Sequence, residues 1–357
     1  VSVIYLLHGT FAGYDALGAL VQLERWLPRA HRALVRQFKG LVDRLQGEAA
    51  NYTPQYAALL QRQLTAGGPP IAVRRFLWSS GNYHLARADA AVRLIDELAT
   101  TWPPEPQRVL LWGHSHGGNV LALVTQLLGG QPEHLSAFFT ACEPFYRNPL
   151  TGRVDMPVWQ RVRQALLGHT PPPSDDVADR QRPVAAPTVP RPDPSRLDIV
   201  TLGTPVRYGW QPRGFSRLLH IIHHRPVAGR EPWQAAWPPT LADVQAAAGG
   251  DYVQQFGIAG TNTPPSWIRP RLWLAERRLH RLLQPHSRAR ELPARLALGI
   301  RVHNAGTTLL VDYGPETRPI YRHLAGHAVY TEQAWMVFHA EEIAQRLYAE
   351  QGGEASG

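Results

Sequence analysis

The segment Val109-Leu110-Leu111-Trp112-Gly113-His114-Ser115-His116-Gly117-Gly118-Asn119 carries the sharpest chemical signal in the chain. An apolar strand runs into G-x-S-x-G, at Gly113-His114-Ser115-His116-Gly117, and an apolar helical stripe follows over Asn119 to Leu128. A serine on so tight a strand-to-helix turn takes a strained backbone conformation. Small residues two positions to either side keep it clear of collisions. The turn lifts the hydroxyl above the sheet edge, and the next helix points its positive N-terminus at negative charge developing there. This is the arrangement for nucleophilic attack by Ser115. Such a hydroxyl needs a base, and histidine exchanges protons in both directions near neutral pH. The chain holds sixteen histidines, so the base must be chosen by its place in the fold.

The flanking elements have a clear rhythm. Residues 1–7 (V-S-V-I-Y-L-L) predict a continuous apolar strand of the kind buried in a parallel sheet. Helical spacing follows over 20–64, for example at Leu34, Phe38, Leu41, Val42 and Leu45. Ile71 to Trp78 reads as a strand. His84 to Thr100 reads as a helix with Leu85, Ala88, Val92, Ile95 and Leu98 on one face, ended by Pro103, Pro104 and Pro106. Further strands are predicted at Leu197 to Leu202 and Leu218 to Ile222. A hairpin is predicted between Ile300 to Asn304 and Thr307 to Asp312, turning at Ala305-Gly306. A basic helix covers Trp267 to Leu283, and a last amphipathic helix Glu332 to Tyr348. Residues 129–169 break the rhythm, and 171–194 are dense in proline and charge, which predicts a mobile loop. The fold class is therefore α/β, a mostly parallel sheet flanked by helices. We read one domain over 1–357, with a cap-like or lid-like insertion at about 129–196.

Composition narrows the class. Apolar residues at 44% and charged residues at 18% exclude a wholly disordered chain. The single cysteine, Cys142, excludes an internal disulfide and a cysteine-built zinc finger. The formal charge is +9, almost all of it arginine, with Lys39 the sole lysine. The arginines are scattered and no nucleic-acid-binding signature accompanies them, so no nucleic-acid partner is expected. No apolar run reaches the roughly 18 residues of a membrane-spanning helix, and no signal peptide is visible. The sequence thus points to a soluble protein, cytoplasmic or secreted. It opens at Val1 inside a strand, a start that is either natural or trimmed.

On these residues the chain resembles the α/β-hydrolase superfamily, in its bacterial lipase and esterase branch. The opening strand followed by His8-Gly9-Thr10-Phe11-Ala12-Gly13 is similar to that branch's oxyanion loop. Leu202-Gly203-Thr204-Pro205 is similar to its L-G-T-P segment. The resemblance implies a catalytic triad in lipid-ester chemistry: Ser115 as nucleophile, and an oxyanion hole from the backbone N–H groups of Thr10 and His116. It places the base after the last strand, where His323 and His327 stand in H-L-A-G-H-A-V-Y-T. His327 is the preferred base, with His323 its rival. Family order puts the acid between serine and histidine. Asp251, in G-G-D-Y-V-Q, leads, and Asp312 is the rival, with Glu231 and Asp243 behind them.

The implied activity is hydrolysis of a small-molecule or lipid carboxylic ester through an acyl-enzyme, without cofactor. The same machinery would serve a thioesterase, amidase or acyltransferase. A catalytically silent hydrolase fold used for binding is the reading from a different class. His220, His223 and His224 suggest a metal site, but strand alternation turns His223 away from the other two, so no metal is expected. Arg269, Arg271, Arg277, Arg278 and Arg281 share a helix with Leu272, Ala275, Leu279, Leu282 and Leu283. Packing on the sheet is the simpler reading of that helix, and peripheral contact with an anionic lipid surface the other. Phe138, Phe139, Phe145 and Trp159 would line an acyl pocket or form the insertion's own core.

Overall fold

The computed structural model describes residues 1–10, 37, 39–40, 43–44, 47–66, 68–148, 150–168, 190–205, 207–235, 239–259, 269–283 and 301–349. Its centre is one six-stranded sheet. The strands are β1 (Val3–Leu7), β2 (Ala72–Phe76), β3 (Val109–His114), β4 (Leu197–Leu202), β5 (Arg217–His223) and β6 (Thr307–Val311). Their spatial order is β2-β1-β3-β4-β5-β6, and every pair is parallel. The chain is therefore α/β. All six strands direct their carboxyl ends to the same edge, and the order reverses direction between β1 and β3. Open parallel sheets bind ligands at such a switch point.

Helices cover both faces, which is why β1, β3 and β4 are buried along their whole length. Residues alternate between the two cores. Tyr5, Leu7, Leu111 and Ile199 face one layer, which holds α2 (His84–Thr101), α3 (His116–Gly129), α4 (Pro132–Tyr146), α5 (Pro157–Leu167) and α8 (Pro270–Leu283). Leu6, Trp112, Leu202 and Ile221 face the other. There they pack with residues of α1 (Pro54–Thr65) and α10 (Met336–Ile343). The short helices α6 (Leu241–Ala246), α7 (Tyr252–Ala259) and α9 (Ile320–His323) lie between β5 and α10 in the chain. Asp198, fully buried in β4, receives a bidentate pair from Arg108 at 2.8 and 2.6 Å, tying the starts of β3 and β4 together.

The predicted hairpin at 300–312 is not formed. β6 pairs with β5 in parallel register, Leu219 opposite Thr307, and residues 301–306 are not a strand. The chain between β5 and β6 is long enough for a crossover. Arg301 and His303 are buried and spend their side chains on the carbonyls of His223 and Thr204. The final helix starts later than its periodicity suggests. Short turns at Val329–Thr331 and Gln333–Trp335 precede α10, and a π-helical segment, Ala344–Tyr348, follows it.

Within the 129–196 segment, α4 and α5 join the main helical layer. Trp159 stacks on Tyr146 at 5.3 Å and on Phe138 at 6.0 Å, and its Nε1 donates to Asp89 of α2 at 2.8 Å. Phe139 and Phe145 meet Trp159 edge-on. These aromatics form core. Residues 169–189 of the proline-rich stretch lie outside the described residues, as do most of 11–46 and all of 284–300. The basic helix α8 buries Leu272, Ala275 and Leu279 while Arg277, Arg278 and Arg281 face outward. Among the described residues no helix is long and apolar enough to cross a membrane.

Candidate active site

Ser115 is the one residue between β3 and α3, and its backbone stands at φ 53°, ψ −129°. A non-glycine residue there carries about 1–3 kcal/mol of strain, which persists only where the surroundings enforce it. They do so here. Its N–H donates to Leu202 at 2.9 Å, and its carbonyl accepts from Gly118 N–H at 3.0 Å and from Thr204 Oγ1 at 2.9 Å. Gly9, after β1, approaches so closely that a Cβ on it would stand 2.8 Å from that of Ser115. Only glycine lets the 8–10 turn lie against the serine.

His327 Nδ1 bonds Asp251 Oδ2 at 2.7 Å, with both side chains buried. Ser115 and His327 line one cavity of about 1090 Å3, together with Gly9, Thr10 and His116. Gly9 and Thr10 come just after β1, Ser115 and His116 just after β3, and His327 in the segment beyond β6 and α9, so the parallel sheet gathers them at one edge. Asp312 is elsewhere. It pairs with Arg225 at 3.0 Å and accepts from Gly314 N–H, and its side chain is half exposed. His323 is buried and takes the N–H of Gly326 at 3.1 Å. Asp243 caps α6 through Thr240, and Glu231 is exposed. Thr10 and His116 border the cavity beside Ser115; Phe11, Ala12 and Gly13 of the same loop lie outside the described residues.

Several residues that the sequence did not flag support this pair. Tyr330 O–H donates to Asp251 Oδ2 at 3.1 Å and accepts His223 N–H at 2.7 Å, while Gln254 N–H reaches Asp251 Oδ1 at 2.8 Å. Burial pushes the Asp251 carboxyl pKa up, but His327, the Gln254 N–H and Arg301 together hold it below the ordinary value. Gly203, at φ +57°, makes the approach possible: a Cβ there would stand 2.2 Å from the Tyr330 ring and 2.8 Å from Asp251 Oδ2. The L-G-T-P segment thus does two local jobs, room for the acid at Gly203 and a hydrogen bond to Ser115 from Thr204. Tyr330, one turn beyond His327, was the supporting residue nearest to being legible.

Three further imidazoles stand next to Gly9 or Ser115 in the chain, and burial keeps all three neutral. His114 donates from Nε2 to the carbonyl of His327 at 3.2 Å, its ring 4.6 Å from that of His327. Burial, with His327 beside it, lowers its pKa well below the ordinary value. His8, stacked on Trp78, is lowered to about 3 by burial, with Lys39 adding to the effect. His116 is lowered by burial and then by Arg87 and Arg207. Its Nδ1 accepts from Asn119 at 3.1 Å and Arg87 at 3.4 Å, which assigns the proton to Nε2. Arg87 is itself buried, donating to Tyr208 at 2.9 Å and Asn82 at 3.1 Å. Glu276 of α8 accepts the N–H groups of His84 and Leu85, capping α2 from outside.

His220 and His223 of β5 and His224 just beyond it do not converge. His220 donates to Ala305, His223 to Val311 and His224 to Pro232, each to a different carbonyl. Among the described residues no group of three or more metal-ligating side chains gathers.

Comparison of the chain with protein-family models, with curated proteins and with solved structures gives no match. A strained serine and a carboxylate-held imidazole border one cavity, at the edge of a sheet whose parallel strands all point their carboxyl ends to that side. That arrangement suits nucleophilic acyl chemistry, and it offers no ligand set for a metal among the described residues.

Proposed function

We propose that this chain is a serine hydrolase of the α/β-hydrolase superfamily, cleaving carboxylic esters through an acyl-enzyme on Ser115. The observation that carries the reading is the buried 2.7 Å bond from His327 Nδ1 to Asp251 Oδ2, beside a cavity that also holds the strained Ser115. With Nδ1–H engaged by the carboxylate, the other ring nitrogen is left as the proton acceptor, the tautomer a general base requires. Ser115 Oγ attacks the ester carbonyl carbon as its proton passes to His327. The oxyanion is held by backbone N–H groups of Thr10 and His116, donors fixed before charge develops and worth about 3 kcal/mol each. The imidazolium then protonates the leaving alcohol. Water, deprotonated by His327, releases the acid and restores Ser115.

The test is hydrolysis of p-nitrophenyl esters from acetate to palmitate by the parent and by Ser115→Ala. Activity in the parent that disappears in the variant supports the mechanism, and the chain-length optimum separates esterase from lipase. A folded parent that turns over no ester, thioester or amide contradicts it.

A further inference from the structure

The cavity around Ser115 is lined unevenly. Val253, Phe256 and Tyr321 border it and are exposed, which gives its mouth an apolar wall. Among its charged residues, Glu332 is held by Arg318 at 2.8 Å, and Glu48 accepts the N–H of Gln333 at 3.1 Å. Arg44 and Arg322 also line the cavity, from two distant parts of the sequence. Both are exposed, and neither makes an ion pair among the described residues. Two guanidinium groups and an apolar wall, on the same cavity as a nucleophile, match an amphiphile with anionic oxygens. Guanidinium is the side chain best shaped to grip carboxylate or phosphate. A cavity of about 1090 Å3 has room for such a molecule, since small-ligand sites run to roughly 1,000 Å3.

We propose that the substrate is an anionic ester: its scissile carbonyl lies at Ser115, its apolar stretch lies on Val253, Phe256 and Tyr321, and its charged end is gripped by Arg44 and Arg322. This rests on the serine hydrolase reading and adds the substrate class. The anionic oxygens belong either to a lipid headgroup phosphate or to a small soluble ester.

The experiment compares mono-p-nitrophenyl adipate, which keeps a free carboxylate, with its neutral methyl ester. The expected ratio of kcat/KM, anionic over neutral, is about tenfold or more at low salt, and it declines as NaCl screens the charge. Arg44→Gln with Arg322→Gln removes the preference. Arg44→Lys with Arg322→Lys keeps part of it, and Arg346→Gln, whose residue pairs with Glu342, leaves it intact. Arginine-dependent binding to phosphatidylglycerol vesicles, absent on phosphatidylcholine, assigns the headgroup; a preference confined to the soluble ester assigns the free anion. A parent ratio near one, or a preference that survives the double Gln variant, overturns the proposal and leaves the hydrolase reading standing. Should neither ester turn over, decyl phosphate binding to Ser115→Ala decides by calorimetry. Binding lost on changing Arg44 and Arg322 to Gln keeps the anion site and removes the hydrolase; no binding overturns both.

Discussion

Tyr330 and His327 donate to the same oxygen of Asp251, Oδ2, at 3.1 and 2.7 Å. The tyrosine hydroxyl is in turn the acceptor for His223 N–H at the end of β5, so the acid is fastened to the sheet through a side chain. Tyr330→Phe removes one donor from a fully buried carboxylate and strands a buried N–H. The expected loss of stability is about 1–3 kcal/mol, with a folded protein and a lowered kcat. Urea unfolding and ester hydrolysis measure the two effects; an unchanged midpoint would contradict the account of this bond.

Asp251 and Asp312 make opposite predictions. Asp251→Asn removes the acceptor that orients His327, and kcat/KM should fall by about three to four orders of magnitude. Asp312→Asn breaks only a pair with Arg225 at the surface and should leave kcat/KM unchanged. A larger loss at Asp312 would show that the wrong acid has been assigned.

The backbone strain at Ser115 gives a stability prediction of opposite sign to its effect on catalysis. Ser115→Gly relieves a φ of 53°, and after the entropy cost of glycine a net gain of about 1 kcal/mol remains. Denaturant unfolding should show the variant more stable than the parent, and ester assays should show it inactive. A destabilised variant would mean that the strain has been misread.

The buried histidines set the response to acid. Burial lowers His303 and His224 to about 4, and His8 and His339 to about 3, from the ordinary 6.5. The unfolded chain therefore takes up these protons first. The stability they confer is full above about pH 6.5 and is lost as pH falls towards 4 and 3. Each such group contributes a slope of up to about 1.4 kcal/mol per pH unit within its window. His303 stacks on His220 at 3.7 Å and donates to the carbonyl of Thr204, whose side-chain hydroxyl donates to the Ser115 carbonyl, so the loss should reach the turn at Ser115. Urea unfolding free energies from pH 7 to 4 test this, and a flat profile would contradict it.

The legible parts of this chain were those governed by local rules. Strand–helix alternation gave the parallel sheet, and the glycines around Ser115 gave the tight turn on which it stands. Asp251 and His327 were legible only through the chain order of the family that the sequence resembles, which left Asp312 and His323 as rivals; the pair lies 76 positions apart in the chain. The hairpin around Gly306 was misread because strand pattern and turn residues carry no record of a partner. The long chain after β5 let β6 dock in parallel, while Arg301 and His303 went to buried carbonyls. Tyr330, Gln254, Arg87 and Glu276 act through contacts between distant segments, which composition and periodicity do not encode. Gly203 was visible as part of L-G-T-P, but its reason, space for Tyr330 and Asp251, is a property of the packed structure.

The most direct test of the central claim is reaction with a fluorophosphonate probe, followed by peptide mass spectrometry of the labelled protein. One adduct is expected, on Ser115, formed much more slowly in Asp251→Asn and His327→Ala and absent from Ser115→Ala. A folded parent that takes no label, or takes it at another residue, would contradict the assignment of Ser115 as an activated nucleophile.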